Sequence, residues 1–345
     1  MPPLRPGSRP WPLDLAFGVL AILALSLLAP APGVESAGEI VVYSSRHYGQ
    51  EPAFDLFTRR TGVIIRMFTA SDAELFERLK AEGDKTPADV LLTVDAGNLW
   101  NAARAGLLAP IDSRELQANI PPALRDAQNR WFALALRART IMYNPERVKP
   151  EELSTYAALG DPRWKGRLCL RQSGHVYNQS LLATMIRRHG EARTEEIVRA
   201  WVANQPILIN GDTKILDAIA AGQCDVGLAN TYYLARMLRS KPDFPVRAFW
   251  ADQQGPGVHV NVSGGGVTAH ARHRAEAIRF LEFLSTAEAQ TAWAEQSLEF
   301  PANPAATPSP ILARWGAFKM DDATLAAAGE LQPAATRLAD RAGYK

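Results

Sequence analysis

The feature that most constrains this chain is a regular alternation of apolar strand-like runs with helix-like runs across residues 39–94. "EIVVYSS" (39–45), "VIIRMF" (63–68) and "ADVLLTV" (88–94) read as buried strands. Between the first two lies "PAFDLFTRRTG", with Pro52 suited to a first helical position and Gly62 to a stop. Between the second and third lies "SDAELFERLKAEG", where Ser71 and Glu74 spell a capping box and Leu75, Phe76 and Leu79 share a face. A βαβαβ order of this kind implies a mostly parallel sheet flanked by helices.

"WFALALRARTIMYNP" (131–145) breaks the alternation. It is a long extended run ending in a turn, long enough to carry the chain from one domain to another. A second α/β pattern follows: "GRLCLRQ", helices at about 178–189 and 194–203, a helix across Ile215 and Ile219, and the strand "CDVGLAN". "SGGGVTAHA" (263–271) reads as a strand entered through glycines, followed by helices at about 274–284 and 287–296. A proline-rich stretch and a final amphipathic helix close the chain. At 345 residues, with about one domain per 100–200 residues, two domains are expected.

Three classes of function are disfavoured. A net charge of +2, with no basic run interleaved with aromatics, argues against nucleic-acid binding. No GxSxG, P-loop or HExxH is present, so the chain is not expected to be an enzyme. The apolar stretch 15–28, after Arg5 and Arg9 and before small residues, is short of the roughly 20 residues a membrane span needs. It reads instead as a secretory signal peptide occupying residues 1–37, which places the mature protein in the periplasm. In an exported chain the only two cysteines, Cys169 and Cys224, suggest one disulfide; two buried thiols are the alternative.

The candidate chemistry lies in tyrosines. Tyr48, Tyr177, Tyr232 and Tyr233 are four of the eight in the chain, and all sit where a strand hands over to a helix. Ligands of open α/β sheets bind at strand C-termini, where helix N-termini point. A phenol with an ordinary pKa near 10 is a poor ligand at neutral pH, but a hard, highly charged cation lowers that pKa by coordination and prefers oxygen donors. Four phenolates on a +3 ion leave one negative charge, which Arg46, Arg137, Arg139, Arg171 or Arg236 could offset. His47 could add a neutral nitrogen, and His175 could serve as ligand or supporting donor. The alternative for each tyrosine is packing or hydrogen bonding; Tyr43 and Tyr143 fit strands and read as structural.

"YSSRHYG", "YNQS", "GQCDVGLANTYYL" and "RARTIMYNP" resemble segments of the periplasmic iron-binding proteins of bacterial ferric-iron ABC importers, nearest to the cyanobacterial branch. The resemblance runs over essentially the whole chain after residue 37. It implies a two-lobed periplasmic-binding-protein fold (type II) with iron in the cleft between lobes. Lobe 1 would be residues 38–137 plus 263–312, and lobe 2 residues 138–262 plus 313–345. By the same resemblance Tyr48, Tyr177, Tyr232, Tyr233 and His47 would hold iron, Fe3+ or possibly Fe2+, with Arg137, Arg139 and Arg236 around them. A Cys169–Cys224 disulfide fits the resemblance. The partners implied are ABC permease subunits in the inner membrane, and a monomer is expected.

Overall fold

The computed structural model describes residues 38–46, 52–321 and 324–345. The expected signal peptide, 1–37, lies outside them. Strand β1 (Glu39–Ser44) leads to α1 (Pro52–Thr61), β2 (Ile64–Thr69), α2 (Asp72–Glu82), β3 (Val90–Thr93), α3 (Ala96–Arg104) and α4 (Arg114–Asn119). Next come β4 (Phe132–Tyr143), β5 (Leu168–Arg171), α5 (Val176–His189), α6 (Glu191–Ala203), β6 (Ile207–Ile209) and α7 (Asp212–Ala220). The chain continues through β7 (Val226–Asn230), α8 (Thr231–Ser240), β8 (Arg247–Phe249), β9 (Val260–Val267), α9 (Arg274–Ser285) and α10 (Ala287–Ser297). It ends with β10 (Phe300–Pro301), α11 (Pro310–Ala313), α12 (Thr324–Glu330) and α13 (Gln332–Ala342).

The local signals of the first half act as expected. Pro52 opens α1, and Gly62 follows that helix with φ 73°. The Ser71 hydroxyl accepts from the Glu74 N–H while Glu74 accepts from the Ser71 N–H, sealing the start of α2. β1 pairs in parallel with β2 and β3.

The sheet as a whole is mixed rather than mostly parallel. Its order is β2-β1-β3-β9-β4-β7-β5-β6, with β8 and β10 also on β4. β9 runs antiparallel to β3 and β4, and β4 runs antiparallel to β7, β8 and β10. The two crossing strands cause this: each enters between parallel sets from the opposite direction. β4 does so within one strand. Residues 132–138 pair with β9, and residues 139–143 pair with β7.

The glycines of "SGGG" lie inside β9, not before it. A Cβ on Gly264 would come within 2.5 Å of the Phe132 oxygen, one on Gly265 within 2.4 Å of Leu92, and one on Gly266 within 2.3 Å of the Arg130 oxygen. Close packing of β3 and β4 on β9 therefore demands residues without side chains.

Around β1–β3 one core forms from residues such as Val42, Phe57, Leu91, Leu99, Phe280 and Trp293. In the β4–β7–β5 sheet successive residues point to opposite faces. Ile141, Leu170 and Leu228 enter a second core with Trp164, Leu182 and Trp201, while Met142, Cys169 and Ala229 enter a third with Ile215 and Ile219. Near the C-terminus, α12 gives Leu325 and Ala328 to the first core, and α13 gives Ala335 and Leu338 to the second.

Cys169 and Cys224 form a disulfide, with Cα atoms 5.9 Å apart. It joins β5 to the turn before β7 and closes a loop of sequence separation 55. A chain-entropy argument gives such a link roughly 4 kcal/mol. Among the described residues no helix is long and apolar enough to cross a membrane.

Candidate metal centre

β5 and β7 are parallel neighbours, so their C-terminal ends open on the same side of the sheet. The loop after β5 delivers Tyr177 as the second residue of α5, and β7 runs directly into α8, where Tyr232 and Tyr233 are the second and third. The result is direct: the Tyr177 and Tyr232 hydroxyls lie 3.2 Å apart. The Tyr233 ring rests on that of Tyr232, with centroids 4.2 Å apart. Tyr232 is buried and Tyr177 and Tyr233 are half-buried. Both helix N-termini add positive potential at these phenols.

His175 has a definite place. It is the N-cap of α5, and its Nδ1 accepts from the Tyr177 N–H at 3.2 Å. Burial, then the charges of Arg171 and Arg139, push its imidazole down to about 4, which keeps that nitrogen an acceptor. At α8 the N-cap residue Asn230 makes no capping hydrogen bond with its side chain. The Asn230 Oδ1 accepts from Arg139, and the Thr231 hydroxyl accepts from the Ala138 N–H.

The arginines separate into two roles. Arg137 and Arg171 flank the Tyr177 ring, each guanidinium carbon 5.5 Å from its centre, and Arg236 lies 4.9 Å from the centre of the Tyr232 ring. Arg139 instead sits beneath the loops. Its Nη1 meets Asp212 at 2.8 Å and its Nε donates to the Asn178 Oδ1 at 3.0 Å. Asp212 also accepts from the Asn230 N–H at 2.9 Å and pairs with Arg171 at 3.3 Å. One buried carboxylate thus holds the residue after Tyr177, through Arg139, and the strand end just before Tyr232. Asn178 completes the ties by donating to the Arg171 oxygen and to the Tyr344 hydroxyl.

Arg137 and Arg139 are two apart on β4, so they lie on one face where that strand changes partners. Arg137 turns to the other half of the molecule. Its Nη1 donates to the Ser263 hydroxyl at 3.2 Å and lies 3.6 Å from Glu299. Glu299, fully buried, also pairs with Arg46 at 3.1 Å, and Arg46 lies 4.2 Å over the Trp293 ring. Burial opposes the charge on Arg137, but Glu299, then Tyr177, Tyr232 and Asp95, raise its pKa above the ordinary arginine value. Arg46 directly precedes His47 and Tyr48, which lie outside the described residues. Among the described residues no group of three or more His, Cys, Asp or Glu side chains could hold a metal ion.

Asp212, Asn178, Asn230 and Glu299 are site residues that the sequence pattern does not single out. Asp212 carried one faint signal, an acidic residue after a glycine at a helix start. The others carried none.

Residues 85–317 match the family model described as bacterial extracellular solute-binding protein. The chain belongs to that family. This solute-binding protein is 40% identical to iron uptake protein A1 of Synechocystis over 92% of this chain and 90% of that one. Its fold matches Trichodesmium FutA (IdiA), solved with iron and citrate, at a TM-score of 0.86, with 43% identity, 89% of this chain and all of that one. Apo FutA2 from Synechocystis matches at 0.83, with 40% identity over 90% of this chain and all of that one. The solute-binding protein therefore has the two-lobed α/β fold of these proteins, with a cleft between lobes.

Proposed function

We propose that this protein captures ferric iron outside the cytoplasm through tyrosine phenolates in its interlobe cleft and delivers it to an ABC permease. The observation that carries this reading is the pair of phenol oxygens 3.2 Å apart at two helix N-termini. Two oxygens on neighbouring positions of a small octahedral cation, bound at about 2.0–2.1 Å, would lie ~2.9 Å apart, so little movement is needed. Tyr233 and, from the other side of the cleft, Tyr48 and His47 complete the donor set. Tyr48 belongs to the lobe of residues 38–137 plus 263–312, and the remaining tyrosines to that of 138–262 plus 313–345, so iron joins the lobes and favours closure.

Charge supports the same reading. Four phenolates on Fe3+ carry one negative charge, and around the site arginines outnumber carboxylates: Arg46 and Arg137 share Glu299, and Arg139 and Arg171 share Asp212. The phenolates favour Fe3+, and the His47 nitrogen would make Fe2+ tolerable. The protein works as a monomer, exported with loss of residues 1–37, and binds and releases its cargo without transforming it. The relatives named above are uptake and binding proteins, which fits.

Ferric iron added to the purified protein should raise a visible tyrosinate-to-iron band. Tyr232→Phe should weaken and shift that band and lower affinity by more than the 10–100-fold typical of groups that only orient the ligands. A protein that stays colourless with ferric iron overturns the proposal.

A further inference from the structure

Asp95 has entered so far only as a charge acting on Arg137. It is the N-cap of α3 and fully buried, and its Oδ1 accepts from the Gly97 N–H at 2.7 Å. A helix cap requires nothing more. Two further donors nevertheless converge on it. The Asn261 Nδ2 donates at 2.7 Å and the Ser180 hydroxyl at 3.0 Å. The Asn261 Oδ1 then accepts from the Ala96 N–H at 2.9 Å, closing a ring around the start of α3.

These donors come from separate parts of the fold. α3 sends Ala96, Leu99 and Ala102 into the first core. Ser180 lies on α5, whose Leu181, Leu182 and Met185 fill the second, and it is three residues beyond Tyr177. Asn261 is on the crossing strand β9, opposite Arg137. α12 packs against both α3 and α5. Burial pushes the Asp95 carboxyl up to about 6, against the pull of Arg137, Gly97 and Ser180. A carboxylate in so dry a place is costly unless donors surround it, and its donors span both cores.

We infer that Asp95 is a positioning residue that pins the tyrosine-bearing helix α5 to α3 and β9, providing the fixed point about which the lobes close on iron. The role in closure rests on the iron reading above; the pinning does not. Asp95→Asn replaces an acceptor oxygen with an amide nitrogen facing donors. Ser180→Ala removes the α5 bond alone, and Ser180→Thr keeps the hydroxyl.

Measurements without iron and with iron separate the parts. In iron-free protein, hydrogen exchange at the start of α5 should quicken in Asp95→Asn and Ser180→Ala and return to normal in Ser180→Thr. With iron, retention against a chelator should fall 10–100-fold in Asp95→Asn and less in Ser180→Ala. The change in radius of gyration on loading should differ from wild type, while the tyrosinate band keeps its position because the donors are intact. Should Asp95→Asn fail to fold, the Ser180 pair decides. Unchanged exchange in Ser180→Ala overturns the pin. Unchanged retention and unchanged scattering in variants that do exchange faster overturn its role in closure. A wild-type protein that gives no band with ferric iron sinks the iron reading and with it the closure role, and leaves the pin to the exchange result.

Discussion

The two halves that meet at the candidate centre are held in different ways. Behind Tyr177 and Tyr232, one carboxylate, Asp212, gathers Arg139, Arg171 and the Asn230 backbone. A disulfide ties β5 to the turn that leads into β7. On the other half, Arg46 at the exit of β1 is held by Glu299, which it shares with Arg137 and Ser263. The first arrangement ties two loops to each other. The second ties one strand exit to the crossing strands β4 and β9. The difference teaches that Tyr177, Tyr232 and Tyr233 stand on one shared framework, whereas the exit of β1 is tied through Arg46 to the crossing strands instead.

Asp212→Asn should break the first side most severely. It leaves Arg139 buried without its counter-charge, a change that typically costs about 3–5 kcal/mol. Thermal denaturation should show that loss, and iron binding should fall with it because both tyrosine loops lose their common anchor. Equal stability in the variant would mean that the two loops stand independently.

Glu299→Gln tests the second side. Arg46 and Arg137 would keep a hydrogen-bond partner but lose the carboxylate between them. Iron affinity should drop by about 10–100-fold, as for groups that orient ligands. The apo protein should lose less stability than with Asp212→Asn, because Asp212 also anchors the Asn230 backbone N–H, whereas Glu299 accepts from the side chains of Arg46 and Ser263. A larger loss of stability than for Asp212→Asn would reverse the comparison.

Arg236→Gln should have the smallest effect. The side chain is half-buried and meets Tyr232 through its ring face, an interaction of about 0.5–1 kcal/mol. A shift of the tyrosinate band with little change in affinity is expected. A loss as large as that of Glu299→Gln would give Arg236, not the buried arginines, the main part in balancing charge.

Much of this architecture was legible because it is local. Strand and helix runs, the Ser71–Glu74 box, Pro52 and Gly62 depend on neighbours within one turn, and all appear where the pattern placed them. The strand-to-helix contexts of Tyr177 and Tyr232 were legible for the same reason. Strand direction was not: β9 and β4 are antiparallel crossers, and nothing within either segment states which strands flank it. The glycines of β9 read locally as a strand entrance because the backbones they accommodate lie about 130 and 170 residues away in sequence. Likewise the side chains of Asn230 and Thr231, which open α8, are taken by distant partners on β4 rather than by the helix.

The sequence by itself determined the alternating elements, the family and the tyrosines placed at strand ends, since each follows from short-range pattern or residue chemistry. Only the tertiary structure decided that Tyr177 and Tyr232 touch, that Arg137 and Arg139 serve opposite halves from one strand, and that Asp212, Glu299 and Asp95 stand behind them. A buried carboxylate is tolerated only where distant donors converge, and convergence is a property of the folded chain.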